Sequence, residues 1–184
     1  MNRHARSEAS TPPVWVAGLD DTPLGALSVA ASENGLVRLA FMHAAALADQ
    51  IAAQALPENR APRHLAQALV QLGEYLSGTR QAFDVAVDWS GHSPFHRTIR
   101  RATLAIPFGE VRTYGELARQ AGNPSAARAV GGAMNRNPLP IIIPCHRVID
   151  SQGRLTGYGA PGGLATKAWL LRLEGHTIVN DKLV

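Results

Sequence analysis

The sequence predicts an α/β first half joined to a mostly helical second half that carries a helix-turn-helix. Three observations lead there. Two strand-like apolar runs surround "ENG" near the N-terminus and are followed by a leucine-spaced helix. Two short helical segments separated by a glycine turn occupy the middle of the second half. The charge also changes sign: residues 1–90 hold 6 Lys/Arg and 9 Asp/Glu, a net of −3, whereas residues 91–184 hold 12 and 5, a net of +7. With 184 residues and 46% apolar content, the chain is long enough to bury a core of its own.

Residues 1–10 read as a flexible polar tail. They lack the apolar segment of a secretory signal, and no run of 18 apolar residues follows, so the chain is expected to be cytoplasmic with no membrane partner. Residues 11–90 form the expected first domain. Within it, 22–42 reads as a hairpin in which Asn34-Gly35 supplies the positive φ of the turn. Residues 62–78 place Leu65, Leu69, Leu72 and Leu76 at helical spacing and stop at Gly78. "FDVAVDW", 83–89, alternates like a strand. None of these segments carries evident chemistry.

The second domain is expected over 91–184. Ser93 can cap a helix and Pro94 fits its first position, which predicts a helix over 93–105. His92 and His96 stand four apart, yet His92 falls before the cap and no further ligand is suitably spaced, so no metal or other cofactor is expected. "IPFGEV" reads as a turn into a short extended piece. Thr113 and Glu116 then form a capping-box pattern at the head of a helix ending at Gly122. A second helix opens at Ser125 and stops before Pro138. Ordinary helical hairpins share this pattern. Here, however, Ala126, Ala127, Ala129, Gly131 and Gly132 keep the second helix thin and only Arg128 projects far, which suits entry into a narrow groove of nucleic acid. The basic surplus fits a polyanion, and equally a solvated basic face.

"IIIPCHRVID", 141–150, holds the only cysteine, Cys145, so neither an internal disulfide nor a thiolate-rich zinc site is possible. The apolar run reads as a buried extended segment. A lone cysteine is more often a small buried hydrophobe than a nucleophile. Pro144 before it, and His146 and Arg147 after it, reverse that reading, because electropositive surroundings lower a thiol pKa from about 8.5 and raise the thiolate fraction. Neighbouring side chains of an extended segment point opposite ways, so His146 would reach the sulfur through a bridging water. Glu174, an acid at a helix C-terminus where the dipole disfavours it, is the candidate to orient that imidazole.

"NPLPIIIPCHRVI", with "YGELA", "RAVGGAMNRNP" and "KAWLLRLEG", closely resembles the O6-alkylguanine-DNA alkyltransferases. The resemblance is dense over 92–176 and looser before it, through "TPLG", the "NGL" hairpin and "QLGEYLSGTRQAFDV". It implies a ribonuclease-H-like α/β domain followed by a helical DNA-binding domain. It implies direct-reversal repair, in which Cys145 accepts an alkyl group once and irreversibly from O6-alkylguanine, and from O4-alkylthymine, in double-stranded DNA. His146 then acts through water, Glu174 completes the relay and Asn137 is a hinge. Arg128 fills the gap left by the rotated nucleotide, with Ala126, Ala127 and Gly131 against the minor groove. Tyr114 helps turn the phosphate and lines the pocket, Tyr158 and Gly159 belong to the pocket loop, and backbone around Val148 reads the exocyclic amine. The implied protein is a monomer, with cooperativity along DNA left open. His96 and Arg100 depart from the usual glutamine and tryptophan, and "GYGAPGG" is longer than the usual loop. Two rivals remain: a Cys-His hydrolase with many turnovers, and a DNA binder that transfers nothing, against which Cys145 argues.

Overall fold

The structure, a computed structural model, describes residues 14–51 and 61–184; the expected tail at 1–10 lies outside them. Strands β1 (Trp15–Leu19), β2 (Leu27–Ser32) and β3 (Gly35–Ala40) form an antiparallel sheet in that order. The β2–β3 hairpin forms where expected, but the positive φ falls on Gly35 (149°) and not on Asn34. A Cβ at Gly35 would lie 2.8 Å from backbone atoms of Ala86, Val87 and Asp88. Glycine therefore lets a second stretch of backbone dock on the hairpin.

That stretch is the strand expected at 83–89, and it shrinks to a single bridge between Leu36 and Val87. The reason lies in helix α2 (Arg63–Leu76), since Gln71 accepts from the Asp84 N–H at 2.8 Å and Gln67 donates to the Asp84 carbonyl at 2.8 Å. Side chains thus take backbone groups that a neighbouring strand would have used. Helix α1 (Ala44–Gln50) and α2 cover the sheet, with Leu65, Leu72 and Leu76 of α2 buried and Leu69 packed against the same core. Gly78, at φ 77°, ends α2 as expected.

Helix α3 (Pro94–Leu104) opens on Ser93, whose hydroxyl accepts from the His96 N–H. Strand β4 (Arg112–Thr113) leads into helix α4 (Tyr114–Gln120), where both halves of the Thr113–Glu116 capping box are present. Ser125 does not open the next helix. It sits inside a 3-10 turn (Pro124–Ala126), its hydroxyl on Asn123 Oδ1 at 2.8 Å, and helix α5 (Ala127–Asn135) starts after it. Ile99 of α3, Leu117 and Ala118 of α4, and Val130 and Ala133 of α5 form one buried cluster, so the helix-turn-helix is braced by α3.

The isoleucine run is buried but not extended. It is a chain of turns in which Ile141 adopts φ 74° and the Ile143 N–H donates to the Leu139 carbonyl at 2.8 Å. A β-branched residue in that region costs about 1–3 kcal/mol. Burial of a single isoleucine returns about as much, and Ile141, Ile142 and Ile143 all belong to the core cluster of the first half, with Leu36, Leu72 and Tyr75. The two halves therefore share a hydrophobic seam. Strand β5 (Val148–Ile149) then pairs in parallel with β4, and helix α6 (Leu164–Leu173) leads to a small hairpin of β6 (Ile178–Val179) and β7 (Lys182–Leu183). No helix among the described residues is long and apolar enough to cross a membrane.

Candidate active site

Cys145 stands where these constraints meet. Pro144, at φ −78° and ψ 66°, makes an inverse γ-turn in which the Cys145 N–H donates to the Ile143 carbonyl at 2.7 Å. Cys145, His146 and Arg147 then form one 3-10 turn, so the expectation of alternating side chains does not hold. The β4–β5 pairing fixes this turn to the start of the helix-turn-helix. Asn137, just beyond α5, fixes it again: its amide nitrogen donates to the Ile143 carbonyl at 2.7 Å and to Cys145 Sγ at 3.1 Å, while its oxygen accepts from the Leu139 N–H.

Cys145 lines a cavity of about 520 Å³, together with Asn137, Tyr158 and Gly159. Burial pushes the thiol up, the reverse of the sequence expectation; the Asn137 hydrogen bond and the charge of Lys167 oppose that rise. Arg147 does not serve the thiol. Its guanidinium lies on Glu174, with Nε 2.9 Å from Oε2 and Nη2 2.8 Å from Oε1, and Nη1 donates to the Ile106 carbonyl.

Glu174 follows the last turn of α6, with its side chain fully buried. Burial alone would raise its pKa, but hydrogen bonds from His146 and Arg147 outweigh it and bring the carboxyl down to about 2. The helix dipole that disfavours an acid there is overcome by these charge-assisted contacts. Tyr75 also donates to Oε1 at 2.5 Å. An ionised carboxylate only accepts, so the imidazole contact at 2.8 Å places the proton of His146 on Nε2 and leaves the lone pair on Nδ1. Burial pushes the imidazole pKa below its ordinary value, and the Glu174 contact opposes that fall. Nδ1 has no hydrogen-bond partner among the described residues.

Two members of the site escaped sequence reasoning. Lys167 is fully buried on α6, where its ammonium donates to the Val148 carbonyl at 2.6 Å and the Thr156 carbonyl at 2.9 Å, and burial lowers its pKa to about 8. A lysine three residues after Leu164 and four before Leu171, on an apolar stripe, was the available signal. Tyr75 lies among the buried leucines of α2 and is indistinguishable from core in the sequence.

The remaining expected residues divide. The Tyr158 hydroxyl is buried without a partner in the cavity wall region, whereas the Tyr114 hydroxyl is engaged with Thr156 and the Val148 carbonyl is taken by Lys167. Neither Tyr114 nor Val148 lines the cavity. Arg128 is exposed, and with Ala126, Ala127 and Gly132 it lines an open groove along α5. Gly131 instead turns toward Tyr114, because the 100° step between successive helical residues sends it to the α4 side.

Comparison with known proteins places the chain. Residues 94–176 match the model of the 6-O-methylguanine DNA methyltransferase DNA-binding domain, and residues 16–89 match that family's ribonuclease-like domain. The chain belongs to the 6-O-methylguanine DNA methyltransferase family. Among relatives of this methyltransferase family, the methylated-DNA–protein-cysteine methyltransferase of Mycolicibacterium paratuberculosis is 45% identical, over 84% of this chain and 88% of that protein. The protein of the same name from Methanosarcina acetivorans is 42% identical, over 84% and 95%. The crystal structure of the Mycobacterium tuberculosis O6-methylguanine methyltransferase superposes with a TM-score of 0.69 at 40% identity, covering 88% of this chain and 92% of that one. The Mycobacterium tuberculosis methyltransferase has also been solved in complex with DNA; that structure gives a TM-score of 0.69 at 38% identity, over 87% and 92%. The α/β first half is thus the family's ribonuclease-like domain and the helical second half its DNA-binding domain.

Proposed function

We propose that this methyltransferase repairs DNA by direct reversal, accepting the alkyl group of O6-alkylguanine, and of O4-alkylthymine, on Sγ of Cys145. The observation that carries the assignment is a single thiol in a cavity wall, with a donor on the sulfur and a buried imidazole–carboxylate pair in the next residue's reach. An O6 substituent is inaccessible inside a duplex, so the nucleotide is rotated out at a cost of a few kcal/mol. The small-residue groove of α5 suits close approach to the minor groove, and Arg128 fills the space left behind.

His146 Nδ1 takes the thiol proton through a bridging water, and Glu174, kept ionised by Arg147, stabilises the imidazolium. The thiolate, stabilised by the Asn137 amide, forms the S–C bond as the C–O6 bond breaks and the electron pair moves onto guanine. The Tyr158 hydroxyl is a donor for that developing charge. The proton held by the imidazole passes to the departing guanine, so no net charge is created.

The product is a thioether. Water does not readily cleave it, and the sequence holds no second cysteine, so each molecule acts once. The protein acts as a monomer on double-stranded DNA. Titration against a duplex with one O6-methylguanine, followed by intact mass spectrometry, tests the assignment. At most one methyl per chain is expected, on Cys145, and none in Cys145→Ser. Repair of many equivalents would point to a hydrolase, and binding without a mass gain to a pure DNA reader.

A further inference from the structure

His96 and Arg100 lie four residues apart on one face of α3, and Arg100 meets the end of α5 by donating to the Arg136 carbonyl. Arg100 is only 5% exposed, and its Nε has no partner. Among the described residues, no carboxylate stands within ion-pair distance of His92, His96, Arg97, Arg100 or Arg136. A buried guanidinium normally has an acid beside it, because desolvating a charge without a counter-charge costs several kcal/mol. Here its neighbours are cations. Burial, then the charges of Arg100 and Arg136, hold the His96 imidazole below its ordinary pKa.

The position of this cluster narrows what could complete it. His96 and Arg136 line the groove that runs along Ala127, Arg128 and Gly132 of α5, and Arg136 also lines the Cys145 cavity. An anion held there would lie between α5 and the thiol. We propose that His96, Arg100 and Arg136 form a clamp for one backbone phosphate of the duplex on the Cys145 side of α5. The clamp rests on the DNA-repair reading given above. Arg136 contacts the phosphate, while buried Arg100 fixes the Arg136 backbone and adds charge behind it. A phosphate fits because its oxygens accept from guanidinium and imidazole donors together and supply the missing negative charge.

The test is the salt dependence of binding to an undamaged duplex, measured for the parent, Arg136→Gln and Arg136→Lys. Each phosphate contact contributes about 0.9 to the slope of log K against log salt. Arg136→Gln should lower the slope by about that amount and weaken binding several-fold in dilute salt, and Arg136→Lys should largely restore it. Equal slopes for the parent and Arg136→Gln would overturn the clamp. So would an Arg136→Lys protein as weak as Arg136→Gln, since packing and not charge would then be responsible. Because Arg136 is exposed, the thermal midpoints of the variants should match the parent, and the comparison is made at matched midpoints. A parent that neither binds duplex nor gains an alkyl mass on Cys145 would instead fail the repair reading itself.

Discussion

Glu174→Gln removes one charge and almost no volume, and its effect can be worked from the contacts. The carboxylate meets the Arg147 guanidinium at 2.8 and 2.9 Å, His146 at 2.8 Å and Tyr75 at 2.5 Å, with its side chain fully buried. Its pKa falls from 4.5 to about 2 on folding. A depressed carboxylate pKa stabilises the fold above the unfolded value and loses that contribution as pH falls through the folded one. At 1.36 kcal/mol per pH unit the contribution is about 3 kcal/mol, present above about pH 5 and gone near pH 2. Breaking a buried pair by neutralising one member costs about 3–5 kcal/mol, in agreement. For a chain of this size, 3 kcal/mol lowers the melting temperature by about 6–12 °C. Thermal unfolding of parent and variant at pH 7 and at a series of lower values provides the assay. The gap between the two should narrow by about 3 kcal/mol between pH 5 and pH 2. A gap that does not change with pH, or one below about 1 kcal/mol at pH 7, would refute the buried ion-pair reasoning. The same variant loses the anchor that keeps the His146 lone pair on Nδ1, so single-turnover alkyl transfer at pH 7 should slow by at least tenfold.

Lys167 supplies a cation near the thiol until it deprotonates at about pH 8, after which the thiol loses that support. The transfer rate of the parent should therefore fall below the rise expected for thiol ionisation once pH passes about 8, and Lys167→Met should be slower at pH 7 and lack the bend, as read from a pH–rate profile. Arg128→Ala should weaken duplex binding more than Arg119→Ala, since Arg128 lines the α5 groove and Arg119 stands in the last turn of α4; equal losses in a binding titration would count against the groove. S-methylation of the packed Cys145, 6% exposed, should destabilise the fold by about 1–3 kcal/mol. An unchanged melting temperature after stoichiometric repair would contradict that.

Local chemistry decided much of this protein in advance. The Thr113–Glu116 box, the Ser93-Pro94 helix start and the Gly78 and Gly122 stops depend on hydrogen bonds and φ angles within a few residues, and each appears where the sequence puts it. The solitary thiol, and the thin helix bearing Arg128, were likewise readable from residue type alone. Tertiary structure decided what spacing cannot encode. Which side of Cys145 the imidazole faces depends on a 3-10 turn held by Ile143 and Asn137, and the isoleucines became turns because they fill a seam between two halves. The partners of Glu174 come from Tyr75, His146 and Arg147, up to 99 residues away in sequence. Charges in a buried network take their ionisation from whatever the fold packs beside them, so the thiol that sequence alone would have lowered is raised by burial, and the cation that acts on it is Lys167 rather than its neighbour Arg147.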